Sequence, residues 1–167
     1  MTTINSLTQK MNSYLKVLQD IELRRIYWQE NTKPLLQRLL IQTATYLKNG
    51  LSCQVIDQRK NNETVNLTFG SQPSGLFEDV NGTLTNYIKR GGTLVFVLEY
   101  TGQVSVHIMF PYIETLSKPS PTKLLSRCVE PKTITDEFIM EQIEEFLDQI
   151  AKWESDSTYN QIGFLAL

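Results

Sequence analysis

The sequence predicts one α+β domain over residues 1–167: an antiparallel β-sheet of about four to five strands flanked by two N-terminal helices and one C-terminal helix. Three observations lead there. Residues 91–112, GGTLVFVLEYTGQVSVHIMFPY, hold two runs of period-two apolar residues that fold back at Tyr100-Thr101-Gly102. The start of the chain and residues 135–153 repeat their apolar residues at steps of three and four, the helical period. With 41% hydrophobic and 20% charged residues, the chain has enough apolar material for a core and lacks the composition of a disordered segment.

The hairpin anchors the rest. A connection of about three residues with Gly102 in the left-handed conformation sets Leu98 opposite Val104, Phe96 opposite Val106 and Leu94 opposite Ile108. That face is apolar throughout, so it is core. The other face sets Val95, Val97 and Glu99 against Gln103, Ser105, His107 and Met109, a mixture that suits partial cover by another element or subunit.

Going along the chain, Ser6 with Gln9 three residues on forms a capping-box pattern, and Leu7, Met11, Tyr14, Leu18, Ile21, Arg25 and Trp28 recur at alternating steps of four and three. The stripe resembles a coiled-coil seam, but Arg25 interrupts it and regular opposite charges do not flank it, which favours packing within a compact fold. Pro34 is expected to push Lys33 out of helical geometry, with Thr32 capping a second helix. The joint leaves a hairpin and a kinked rod both open. Leu35, Leu36, Leu39, Leu40, Tyr46 and Leu47 mark the second helix and Asn49-Gly50 its stop. Leu51–Val55 and Thr64–Phe69 alternate around the polar turn Arg59-Lys60-Asn61-Asn62, a half-buried hairpin. Residues 69–83 are punctuated by Gly70, Pro73, Gly75 and Asn81-Gly82 and read as a long loop or irregular strands. Thr83–Lys89 fits a short helix on Leu84, Tyr87 and Ile88 or a strand entering the central hairpin, and the strand is favoured because Gly91-Gly92 reads as a second turn. Ser117–Thr122 is a proline-spaced crossing segment, and Thr133 or Thr135 caps a final helix with Phe138, Ile139, Ile143, Phe146, Leu147, Ile150 and Trp153 on one side. The tail ending in Phe164, Leu165 and Leu167 is apolar enough to expect part of it tied down.

Several function classes find no support. A formal charge of −2 gives no global reason to bind nucleic acid or an anionic membrane, and no stretch approaches the roughly 18 to 20 apolar residues that cross a bilayer. The N-terminus lacks a continuous apolar leader core, so a cytoplasmic location is the expectation. Cys53 and Cys128 read as reduced structural thiols; with His107 the only histidine, no metal or cofactor is expected. Serine-histidine catalysis would require His107 to meet a serine and an orienting carboxylate, and no Gly-x-Ser-x-Gly elbow nominates the serine. Gly70–Gly75 lacks the lysine of a phosphate loop.

Charge is segregated: basic residues gather on the first two helices and in the crossing segment, acidic ones on the last helix. The expectation is a non-enzymatic protein-binding or assembly module, a homodimer or a chain with a protein partner. Its candidate surfaces are Arg25 and Trp28 on the first helix and Val95, Val97, Glu99, His107 and Met109 on the mixed sheet face. Trp28, on the apolar stripe, also reads as core. The alternative is a small ligand-binding protein or hydrolase whose pocket between helices and sheet includes His107, Glu99 and Tyr100.

Overall fold

The computed structural model describes residues 3–56, 62–114 and 122–155. The chain is α+β, with two antiparallel sheets and helices at both ends. Helix α1 (Ile4–Tyr27) begins at Thr3, whose side chain accepts from the Ser6 amide, so the cap lies three residues before the Ser6 position expected from the capping box. Lys33 keeps ordinary helical angles (φ −61°, ψ −48°) instead of leaving the helix. The chain remains helical through a π-turn at Trp28–Thr32 and runs straight into α2 (Lys33–Leu47). A wider turn accommodates Pro34, which has no amide to give and crowds the preceding carbonyls. The joint is therefore a continuous helix with a π-turn, not a hairpin. Thr32 does not cap; its hydroxyl donates to the Pro131 carbonyl at 3.0 Å, tying the turn to the segment before the last helix.

The five-stranded sheet has the order β1-β2-β5-β6-β8, formed by Ser52–Ile56, Thr64–Thr68, Thr93–Leu98, Val104–Met109 and Thr122–Val129. Its centre is the expected hairpin in the expected register: Leu94 faces Ile108, Phe96 faces Val106 and Leu98 faces Val104. Gly102 has φ +78° and donates its amide to Glu99, while the Glu99 amide donates to the Gln103 carbonyl. The apolar face packs under α2 and α3 (Asp136–Ser155), with Trp28, Leu36, Leu40, Ile139, Ile143 and Phe146 in one buried cluster. Thr135 caps α3 by accepting from the Phe138 amide. β8 is an unexpected strand on the edge, and a left-handed Cys128 (φ +54°) bulges it, as exposed edges are commonly blunted.

The second sheet, β3-β4-β7 (Ser71–Val80, Thr83–Arg90, Tyr112–Ile113), decides one open alternative and corrects one expectation. Residues 71–80 form a ten-residue strand, irregular between Pro73 and Phe77, the irregular-strand alternative and not the loop. Gly91-Gly92 is not a turn. The β2/β5 ladder passes through it: Thr68 pairs with Thr93, the Phe69 amide donates to Gly92, the Gly91 amide donates to Gly70, and Ser71 pairs with Arg90. The same two-stranded ribbon thus bends at Gly70, Gly91 and Gly92, all with positive φ, and continues as β3/β4. Its reversal is at Asn81-Gly82, both left-handed, the favoured hairpin turn. Among the described residues β7 joins only at Lys89 and Arg90, so most of this ribbon, the arm, has no third strand there. Ser117–Pro121, part of the Arg59–Asn62 turn and the C-terminal tail lie outside the described residues.

Candidate functional site

The turn of the central hairpin rests on the C-terminal third of α1. A Cβ placed on Gly102 would lie 2.6 Å from Arg24 Cβ and 2.9 Å from the Ile21 carbonyl oxygen, so only a glycine lets helix and turn approach this closely. Arg25 donates to the Tyr100 carbonyl at 2.8 Å and lies over the Tyr100 ring at 5.6 Å, a cation–π contact. Arg24 donates to Glu130 at 2.9 Å, and Gln103 donates to the same carboxylate at 3.0 Å. Trp28 is 0% exposed and donates from Nε1 to Glu63, which also takes Gln29 and Lys33. Of the two candidate surface residues on this helix, Arg25 is thus engaged with the chain's own hairpin turn, and Trp28 lies in the core out of reach of any partner.

The Arg24 guanidinium holds the Glu130 carboxyl below the usual glutamate range, with Gln103 assisting and partial burial opposing. Folding lowers this pKa, so the contact contributes fully above the unfolded value near about 4.3 and is lost as the pH falls from there through the folded value. The expected result is a lower urea midpoint for Glu130→Gln than for the parent chain at pH 7, a gap that narrows in acid. A gap independent of pH would show that the charge on Glu130 is not what the fold uses.

The mixed sheet face is turned away from α2 and α3. Its rows follow from the register: Thr64, Val97 and Ser105 in one, Asn66, Val95, His107 and Leu124 in the next, Thr68, Thr93 and Met109 in a third. Val95 is buried, Val97, Glu99 and His107 are half-buried, and Met109 is exposed. Glu99 and His107 do not touch directly. Ser105, 3% exposed, joins them: its hydroxyl donates to Glu99 and lies 2.9 Å from His107 Nε2. One hydroxyl carries one proton, so with that proton on Glu99 the His107 nitrogen must be the donor of the second bond. A serine nucleophile needs the opposite arrangement, a basic imidazole between serine and carboxylate. Thr64 Oγ1 and Asn66 Oδ1 on this face are buried with no hydrogen-bond partner, and nothing among the described residues explains how they are satisfied.

A cleft of about 440 Å³ opens elsewhere, between α1 and the segment before α3, lined by Asp20, Leu23, Arg24, Tyr27, Glu130, Pro131 and Lys132. None of His107, Glu99 and Tyr100 borders it. Among the described residues no group of three or more histidine, cysteine or acidic side chains is placed to hold a metal ion, and no helix is long and apolar enough to cross a membrane. Both cysteines are free; Cys128 is exposed, and burial pushes the Cys53 thiol up.

The larger departure from the sequence reading is on α1 itself. None of its 24 residues is buried, and Ile4, Leu7, Met11, Tyr14, Leu15, Val17 and Leu18 are all exposed. The stripe that reads as a helix packed in its own domain covers the body only from about Ile21 onward. Toward its N-terminus from there, none of its residues is buried among the described residues. Comparison with protein-family models, curated proteins and solved structures finds no match to this chain.

Proposed function

We propose that this chain is a non-enzymatic protein-binding or assembly module that works as a homodimer, with the outer part of α1 as a contact surface. The observation that carries this reading is the exposed stripe Ile4, Leu7, Met11, Tyr14 and Leu18, spaced as a helix spaces the residues it buries. Helices gain most of their stability from packing an apolar face, and here residues 4–18, about 22 Å of helix at 1.5 Å per residue, leave theirs exposed among the described residues. Exposed apolar surface of this extent and order marks an interaction site. The two free thiols suit a reducing compartment, and the cytoplasm is the location this reading favours.

Light scattering over a wide concentration range tests it. The parent chain is expected at twice the chain mass of 19.2 kDa. Met11→Glu, which puts a charge in the centre of the stripe without touching the core, is expected to be a folded monomer whose thermal midpoint, unlike the parent's, does not rise with protein concentration. A parent chain that stays at the monomer mass at every concentration would remove the homodimer.

A further inference from the structure

The chain carries the dipeptide Asn-Gly twice, at Asn49-Gly50 after α2 and at Asn81-Gly82 in the turn of the arm. We infer that Asn49-Gly50 is a site at which the chain modifies itself by losing ammonia, and that Asp79 guards Asn81-Gly82 against the same reaction. In this chemistry the backbone nitrogen of the glycine attacks the side-chain carbonyl carbon of the asparagine. The N–Cγ bond forms, the Cγ–Nδ2 bond breaks, and ammonia leaves with the proton that the backbone nitrogen gives up. Water then opens the succinimide ring at one of its two carbonyls, giving aspartate or isoaspartate. A glycine in second place lets the ring close because it has no side chain in the way.

Both pairs are exposed and both glycines have positive φ, +78° at Gly50 and +80° at Gly82, so neither access nor glycine conformation separates them. The attacking nitrogen does. The Gly82 amide donates to Asp79 Oδ1 at 2.8 Å. To react it must leave that acceptor and become anionic beside a carboxylate, and a like charge disfavours this. Asn81 is left-handed too (φ +55°), and the strands pair on either side of it, Val80 with Thr83 and Asp79 with Leu84, so the turn backbone is held in place. Asn49-Gly50 lies between the end of α2 and the start of β1, outside both elements, and the Gly50 amide has no acceptor among the described residues. Its nitrogen is free to turn onto the asparagine side chain.

The joint is one where the change bears on the fold. Either product puts a negative charge at the C-terminal end of α2, where the last carbonyls already carry partial negative charge. Isoaspartate also routes the main chain through the former side chain and so adds a backbone atom to a short connection. On one side of it Lys48 (φ +54°) closes α2 with its amide on the Ala44 carbonyl; on the other Leu51, 9% exposed, enters the core cluster. Chain enriched in the acidic form by ion exchange is expected to have a lower urea midpoint than fresh chain. An equal midpoint would show that the joint absorbs the change.

Peptide mapping by mass spectrometry of the full chain, held folded in mildly alkaline buffer and sampled over time, tests the inference. Asn49 is expected to gain the mass of the acid at least about tenfold faster than Asn81, the factor to which breaking one charge-assisted hydrogen bond corresponds. In concentrated urea, where the guard is gone and only the shared dipeptide remains, the two pairs are expected to react at equal rates. Asp79→Ala in the folded chain is expected to raise the Asn81 rate severalfold and leave the Asn49 rate as it was, the second result showing that the rest of the fold is undisturbed. Equal rates in the folded parent, or a difference that persists in urea, would overturn the inference, because the fold would then not choose between the pairs. An Asn81 rate that is unchanged or lower in Asp79→Ala removes Asp79 as the guard. A folded chain whose Asn49 never converts removes the site.

Discussion

Trp28→Ala is expected to lower the unfolding free energy by about 3–5 kcal/mol, the cost of emptying a fully buried aromatic site. For a chain of this size that corresponds to a fall of roughly 10 °C in the thermal midpoint. Trp28 is where the continuous N-terminal helix meets the core: it begins the π-turn, lies in the buried cluster with Leu36 and Phe96, and hydrogen-bonds Glu63 just before β2. Trp28→Phe keeps most of the volume and loses only the indole bond, so it is expected to cost about 1–2 kcal/mol. Calorimetry showing Trp28→Ala within 1 kcal/mol of the parent, in the sense of about that size, would mean this side chain is not in the core.

Gly102→Ala is the second large effect, at about 2–4 kcal/mol. A left-handed backbone costs an alanine about 1–2 kcal/mol, and the added methyl must also displace Arg24 Cβ and the Ile21 carbonyl, the overpacking penalty. Gly75 supplies the control. Its φ is +80° but nothing lies within 4 Å of the Cβ position, so Gly75→Ala is expected to cost only the conformational part. Equal losses at the two sites would show that the hairpin turn does not bear on α1. A second readout follows from the geometry: Gly102→Ala is expected to free Arg25 from the Tyr100 carbonyl and ring, exposing further the end of the stripe nearest the body.

The central hairpin was legible because one register alone puts Leu94, Phe96 and Leu98 against apolar partners, and the alternation of the whole strand enforces it. α3 was legible for the same kind of reason, with its apolar residues at helical spacing and Thr135 at the cap. The bend at Gly91-Gly92 was not, since a glycine with positive φ serves a tight turn and a kinked ribbon equally well; what decides is whether Thr68 and Thr93 stay paired across it, a long-range fact. The arm was hidden by the glycines and proline that punctuate β3, which are tolerated there because the strand is an irregular edge. β8 was hidden because Leu124 and Leu125 are adjacent and its bulges spoil the alternation.

The candidate surfaces were legible as faces but not as contacts. Periodicity placed Val95, Val97, Glu99, His107 and Met109 on one face; it could not show that Ser105 links Glu99 to His107. It placed Arg25 and Trp28 on one stripe, yet the same spacing describes the residues that pack on the body and the residues that project past it. The position of the hairpin turn against Ile21 and Arg24 separates the two.

Hydrogen exchange of the α1 amides, followed by mass spectrometry at low and high protein concentration, tests the central claim most directly. If residues 4–18 are covered in an assembly, their protection rises from near none at low concentration and falls back in Met11→Glu, while the core strands β5 and β6 stay strongly protected in every sample. Residues 4–18 exchanging fast, and identically at every concentration, would contradict the account: the stripe would then be an exposed helix that no second copy covers.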